Sequence, residues 1–107
     1  MNAPKISIIT ITYNSEATIV ATSDSIHRQS FQQYEYIVID GASTDKTVSI
    51  IENHPLRVAH LVSEPDDGLY DALNKGIRLA TGEVIGVLHS DDIFFSKDSL
   101  HRISEVF

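Results

Sequence analysis

GEVIGVLHSDD, Gly82 to Asp92, is an apolar run that stops on four polar residues. Val84, Ile85, Val87 and Leu88 read as a strand buried on both faces, because near-continuous apolar runs of this length belong to parallel sheets. His89, Ser90, Asp91 and Asp92 then stand at the carboxyl end of that strand, where open α/β sheets bind ligands. Two adjacent carboxylates repel one another unless a cation or hydrogen-bond donors offset their charge. A divalent ion that also holds a phosphate would do so. The pair has a plainer reading as a turn before a helix, a common use of Asp.

Working outward, Leu69 to Ala80 reads as a helix, with Leu69, Leu73, Ile77 and Ala80 at helical spacing and Gly82 as its C-cap. Glu64 to Gly68 is an acidic loop broken by Pro65 and Gly68. Leu56 to Ser63 is a weaker strand. Tyr34 to Asp40 (YEYIVID) is a β-branched and aromatic strand that ends in the turn-rich run Gly41 to Asp45. A helix follows, capped by Ser43 or Thr44, with Asp45 in its first turn and Val48, Ile50 and Ile51 on its buried side. Lys5 to Thr12 (KISIITIT) is the first strand. The helix after it starts near Glu16 with Asn14 or Ser15 as cap, and fades by Ser30. It is rich in Ser and Thr, so packing must hold it. A last helix begins at Ser96 and carries Leu100, Ile103 and Phe107. Alternation of this kind predicts an α/β fold, a Rossmann-like and mostly parallel sheet with helices on both faces.

The chain of 107 residues has room for one small domain. A formal net charge of −7 excludes a nucleic-acid backbone as partner, which needs clustered Lys and Arg. A free nucleotide stays open, through a metal and helix N-termini. With no Cys, disulfides, thiol catalysis and Cys-ligated zinc are excluded. No apolar run approaches a membrane span.

Parallel crossovers place the carboxyl ends of the strands on one edge. Thr12, Tyr13 and Asn14, then Asp40 and Gly41, then His89 to Asp92 should share one crevice, with the loop Asp66 to Asp71 folded over it. Each piece alone has an ordinary structural use, as a loop aromatic, a strand-to-turn pair or a solvated loop. Together they suit a nucleotide: the aromatic can stack on a base, a carboxylate can accept from a base N–H or a ribose hydroxyl, and the pair can hold a metal on a diphosphate.

The segments ITITYNS (Ile9 to Ser15), VIDGASTDKT (Val38 to Thr47), EPDDGLYDALNKGIRLATGE (Glu64 to Glu83) and LHSDD (Leu88 to Asp92) resemble family 2 glycosyltransferases of the GT-A fold, in the family's order and spacing. The resemblance implies that residues 1–107 are the N-terminal, nucleotide-diphospho-sugar-binding part of a GT-A domain. It implies sugar transfer to an acceptor hydroxyl with inversion at the anomeric carbon, in polysaccharide or glycan biosynthesis. Tyr13, with Thr12 and Asn14 beside it, would lie under the base, and Asp40, with Gly41, would accept from it. Asp67, Gly68, Leu69, Tyr70 and Asp71 would line the donor pocket, with Asn74 and Gly76 from the family's Asn-x-Gly helix. Ser90 and Asp91 would contact the donor, and Asp91 and Asp92 would hold Mg²⁺ or Mn²⁺. The implied donor is a UDP-sugar, and the acceptor a glycan or a lipid-linked sugar.

The chain departs from the family pattern in two places. His89 stands where the DXD motif usually begins with Asp, and a neutral His brings no fixed negative charge. Leu73 stands where many members have Arg. The general base is expected beyond Phe107, in a longer protein whose fold this part leaves unclosed. An open sheet edge can then pair with a second copy as a homodimer. The expected location is cytoplasmic, with peripheral attachment at the inner face of the membrane an option for the full-length protein. The competing reading is a nucleotide-diphosphate binding module without catalysis. A phospho-acceptor signalling domain would need a Lys at the end of a late strand, and no predicted strand ends in Lys.

Overall fold

A computed structural model describes residues 4–94 and 96–106. Along them run β1 (Ile6–Thr12), α1 (Ile19–His27), β2 (Tyr34–Asp40), α2 (Thr47–Asn53), β3 (His60–Ser63), α3 (Leu69–Leu79), β4 (Val84–Val87) and α4 (Ser99–Val106). All the strand pairings are parallel, in the order β3-β2-β1-β4. The chain moves to one side of β1 for β2 and β3 and returns to its other side for β4. The switch in direction falls between β1 and β4, and the crevice outside such a switch is where α/β sheets bind ligands. The expected α/β sheet with helices on both faces is what forms.

Strand alternation divides the core in two. Ile6 and Ile8 of β1 and Tyr36 and Val38 of β2 pack against Ile19 and Ile26 of α1, Ile51 of α2 and Leu100 of α4. Ile9, Ile37 and Ile39 point to the opposite face and meet Ala72 of α3. Among the described residues no helix is long and apolar enough to cross a membrane.

The opening stretch is a strand, but it is not buried on both faces. Among the described residues β4 pairs only with β1, and Ile85 and Val87 are each 44% exposed. The helix before it, α3, packs across β1 and β2 instead. Helix α3 also buries a different face from the expected one. Ala72 and Gly76 are its buried residues, whereas Leu69 is 54% and Ile77 43% exposed. Small residues win because the helix lies so close to the sheet that a Cβ on Gly76 would come 2.7 Å from Ile9 Cγ2. Gly82 is not the helix cap either. The chain leaves the helix through an extended Ala80. Gly82 is required because a Cβ there would meet Ser7 N at 2.7 Å and the Lys5 carbonyl at 2.8 Å. The remaining starts shift inward: α1 begins at Ile19, α2 at Thr47, β3 at His60 and α4 at Ser99. Before α1 and α2, Asn14 and Ser43 bond to each other's loops instead of capping the helices. In α4, Leu100 is buried and Ile103 largely exposed, and Phe107 lies outside the described residues.

At the amino end of the sheet, Glu35 ties three segments together. Its carboxylate accepts from the Ser7 hydroxyl, from the Thr81 N–H at 2.6 Å and from the Thr81 hydroxyl, with Lys5 Nζ 3.6 Å away. Burial alone would raise its pKa. The hydrogen bonds and the lysine overcome that and hold it at about 2, below its ordinary 4.5. A depressed carboxylate pKa contributes stability that is complete above the unfolded value and is lost as pH falls through the folded one. The window is therefore between about 4.5 and 2, and the contribution is at most about 3 kcal/mol. Glu35→Gln is expected to lower the urea midpoint at pH 7 and to remove this part of the acid dependence. Parallel stability–pH curves for the two proteins would show that Glu35 carries none of it.

Candidate functional site

The carboxyl ends of β1 and β2 run into two loops that are laced together. The Asn14 N–H donates to Ser43 Oγ at 2.8 Å and the Ser15 N–H to Thr47 Oγ1 at 2.7 Å. In return Asn14 Oδ1 accepts the Thr44 N–H at 2.8 Å. Asn14 therefore braces the opposite loop instead of capping its own helix. It does so with φ at 46°, a region Asn tolerates better than most residues. Ala42 also has positive φ, 63°. On either side of it, the Gly41 N–H donates to the Thr12 carbonyl at 2.9 Å and Ser43 bonds Asp40. Asp40 is fully buried, and its oxygens accept from the Ser43 N–H at 2.8 Å, the Ser43 hydroxyl and the Ser63 hydroxyl at 2.7 Å. Asp45, expected in the first turn of α2, stands before it and accepts the Thr47 N–H at 2.9 Å.

Between these loops and α3 lies a cavity of about 450 Å³, lined by Ile11, Thr12, Tyr13, Gly41, Pro65, Asp66, Gly68, Leu69 and Ala72. Tyr13 lines it while 61% exposed. A Cβ on Gly41 would stand 3.1 Å from Asp66 Oδ2, so the glycine lets the acidic loop close tightly on this wall. The acidic loop does fold over this edge, and Lys75 holds it. Its Nζ lies 2.7 Å from Asp66, 3.1 Å from Glu64 and 3.4 Å from Asp71, and donates to the Pro65 carbonyl at 3.2 Å. The bond to Asp66 raises the pKa of Lys75; burial opposes this, and Glu64 and Asp71 add to the rise. Asp71 accepts the Asp67 N–H at 3.0 Å, which lowers its own pKa, and so serves as a brace at the start of α3.

Beyond β4 the Asp92 N–H donates to the His89 carbonyl at 3.0 Å, closing a turn with Ser90 and Asp91 at its tip. Asp91 is exposed, and among the described residues its carboxylate has no hydrogen-bond partner. Asp92 is also exposed but accepts the His89 N–H at 3.2 Å. The Ser90 hydroxyl meets the Ser15 hydroxyl at 2.8 Å, joining this turn to the loop that carries Tyr13. Among the described residues no three His, Cys, Asp or Glu side chains gather as a metal cage. The donor set of Asp91 and Asp92 is two hard carboxylates. It suits Mg²⁺ or Mn²⁺ shared with phosphate oxygens and water, which is how Mg²⁺ is usually bound.

Of the sequence-predicted residues, Thr12, Tyr13, Gly41 and Gly68 line the cavity directly. Asn14, Asp40, Asp67 and Asp71 shape the loops around it. Ser90, Asp91 and Asp92 form the adjoining turn. Tyr70 and Asn74 lie on the exposed side of α3, outside the lining. Leu69, expected in the donor pocket, lines the cavity too, and Asp66 reaches it from the loop expected to fold over this edge. Ile11, Pro65 and Ala72 were not anticipated as lining residues. Strand alternation carries the signal for Ile11, which shares the face of Ile9 and so looks toward α3. A second hollow, about 530 Å³, lies at the amino end of the sheet among Lys5, Tyr34, Glu35 and Arg57. Glu35 and Lys5 are already engaged with each other there, and none of the strand-end residues reaches it.

This geometry has close counterparts. The family description "Glycosyl transferase family 2" matches residues 7–107. A PGL/p-HBAD biosynthesis glycosyltransferase of Mycobacterium bovis is 37% identical over 97% of this chain and 42% of its own length. An uncharacterized glycosyltransferase of Mycobacterium tuberculosis is 40% identical over 97% of this chain and 40% of its own length. The mannosyltransferase PcManGT from Pyrobaculum calidifontis, solved with GDP-Man and Mn²⁺, superposes with a TM-score of 0.83 at 32% identity, over 94% of this chain and 31% of its own. S. aureus TarS in complex with UDP-GlcNAc gives 0.84 at 29% identity, over 94% and 30%. The chain thus spans less than half the length of these relatives.

Proposed function

This chain belongs to glycosyl transferase family 2, and from that premise we propose that residues 1–107 are the donor-binding part of a GT-A enzyme. The enzyme would transfer a sugar from a nucleotide diphosphate, a UDP-sugar, to a hydroxyl of a glycan or lipid-linked acceptor, with inversion. The observation that carries this is the cavity walled by Tyr13, Gly41 and Asp66 and joined through Ser15 and Ser90 to the turn bearing Asp91 and Asp92.

In this reading the exposed Tyr13 ring stacks on the base. Asp40 accepts a base N–H in place of the Ser43 hydroxyl that it binds here. Gly68 and the start of α3 border the rest of the donor. Asp91 and Asp92 would hold Mg²⁺ or Mn²⁺, which would offset the charge that grows on the departing diphosphate. The acceptor hydroxyl needs a general base. We assign that base to a residue outside 1–107, consistent with relatives more than twice as long.

Calorimetry with UDP, UDP-sugars and GDP, each with Mn²⁺ or with EDTA, tests the proposal. The expected result is Mn²⁺-dependent binding of UDP, strengthened by an attached sugar. Equal affinity for UDP and every UDP-sugar would favour a nucleotide-diphosphate binding module, and no heat with any nucleotide would sink both readings.

A further inference from the structure

Helix α1 and the turn that ends it bury an unusual set of side chains: Thr22, Ser23, Ser25 and, two residues past the helix, Gln29 are all essentially inaccessible. Ser and Thr are mediocre helix formers, and a buried hydroxyl costs stability unless it is bonded. Thr22, Ser25 and Gln29 lie on one face, at i, i+3 and i+7. All three bond to the main chain that follows β4. The Thr22 hydroxyl donates to the Ser90 carbonyl at 2.9 Å and the Asp92 carbonyl at 2.6 Å. Ser25 Oγ accepts the Phe94 N–H at 3.1 Å while donating to the Thr22 carbonyl at 2.8 Å. The Gln29 amide donates to the Ser96 carbonyl at 2.8 Å, and its oxygen accepts the Leu100 N–H at 2.9 Å. The stripe therefore fixes the path of this segment whatever side chains the segment carries.

Thr22 has the most specific place in it. One hydroxyl proton is shared between the carbonyls on either side of Asp91, in the turn closed by the Asp92 N–H to the His89 carbonyl. Drawing both carbonyls onto the helix curls residues 90–92 around it and leaves Asp91 on the outside of the curl, exposed. We propose that Thr22 is a positioning residue for the metal-holding turn, with Ser25 and Gln29 setting the register of the segment behind it. This rests on reading Asp91 and Asp92 as the pair that takes the divalent ion.

Calorimetry of UDP binding to the whole chain, in Mn²⁺ and in EDTA, tests it with Thr22→Val, Thr22→Ser and Asp91→Asn side by side. Thr22→Val keeps the volume and removes the donor. It is expected to weaken binding in Mn²⁺ about tenfold and to leave binding in EDTA within about twofold. Thr22→Ser is expected to return it to near the parent value. A purely structural role would lower both affinities together, and that outcome overturns the proposal. So does an unchanged affinity of Thr22→Val in Mn²⁺ while Asp91→Asn loses its metal dependence. If Asp91→Asn keeps full Mn²⁺ dependence, the metal reading itself falls, and this proposal with it. Should Thr22→Val fail to fold by circular dichroism, Thr22→Cys keeps a γ atom in the hydroxyl's place with only a weak donor. Parent-like Mn²⁺ affinity in that variant overturns the proposal equally.

Discussion

Asp91→Ala is expected to weaken Mn²⁺-dependent UDP binding about a hundredfold, a loss of about 2.7 kcal/mol, while leaving stability almost unchanged. The two halves of this expectation come from the same geometry. Asp91 is exposed at the tip of a turn and its carboxylate bonds to nothing else among the described residues. Removing such a side chain typically alters folding stability by no more than about 0.5 kcal/mol. For the same reason its oxygens are free to bind a hard cation, and with only two carboxylates in the turn the loss of one removes half of the protein's anionic ligands. Asp92→Ala should behave differently. Asp92 accepts the His89 N–H, so its removal loosens the turn as well as the site, and affinity and melting temperature should fall together. The decisive measurement is UDP titration in Mn²⁺ against EDTA for Asp91→Ala, beside thermal melts of both variants. Parent-like affinity for Asp91→Ala would return the turn to an ordinary acidic loop before a helix.

The layout of this site was readable in the sequence because it depends on strand ends. A parallel sheet sends every strand end to one edge, so Tyr13, Asp40 and the Asp91–Asp92 pair converge wherever the helices lie. What was not readable depends on contacts between residues far apart in the chain. Asn14 has the look of a helix cap, yet it bonds Thr44, thirty positions on. Ser43 has the same look, and its Oγ accepts the N–H of Asn14, twenty-nine positions back. A local pattern shows that a side chain can accept or donate but not which loop will come to it. The Ser and Thr of α1 read as a weakness of the helix, while Thr22 and Ser25 bond the main chain of Ser90, Asp92 and Phe94. The apolar run of β4 failed as a sign of double burial for a related reason. Val84 and Leu88 pack into one core, whereas whether anything covers Ile85 and Val87 depends on what stands beside the strand.

Ile9→Ala should be the most destabilising of these substitutions, by about 2–5 kcal/mol. Ile9 is completely buried at the centre of the sheet, in the small core of Ile37, Ile39 and Ala72. Four buried residues cannot readily collapse into a vacated isoleucine site. The same contact makes Gly76→Ala informative, because two effects oppose each other there. Alanine in place of glycine in a helix interior gains about 1 kcal/mol. Its Cβ, however, would stand 2.7 Å from Ile9 Cγ2 and 3.1 Å from Ile9 Cδ1. Forcing an extra carbon into a packed core costs about 1–3 kcal/mol, and Ile9 has no free space to turn into, so the clash should win and the variant be less stable. The double variant resolves the matter. With Ile9 truncated, the clash disappears, the added methyl occupies part of the cavity and the helix gain remains. Gly76→Ala should then stabilise the Ile9→Ala background, a reversal of sign that urea denaturation would detect as strong coupling between the two positions. If the two losses simply add, α3 does not seat on Ile9 through Gly76. The exposed Leu69 and Ile77 would then have to be the face that packs.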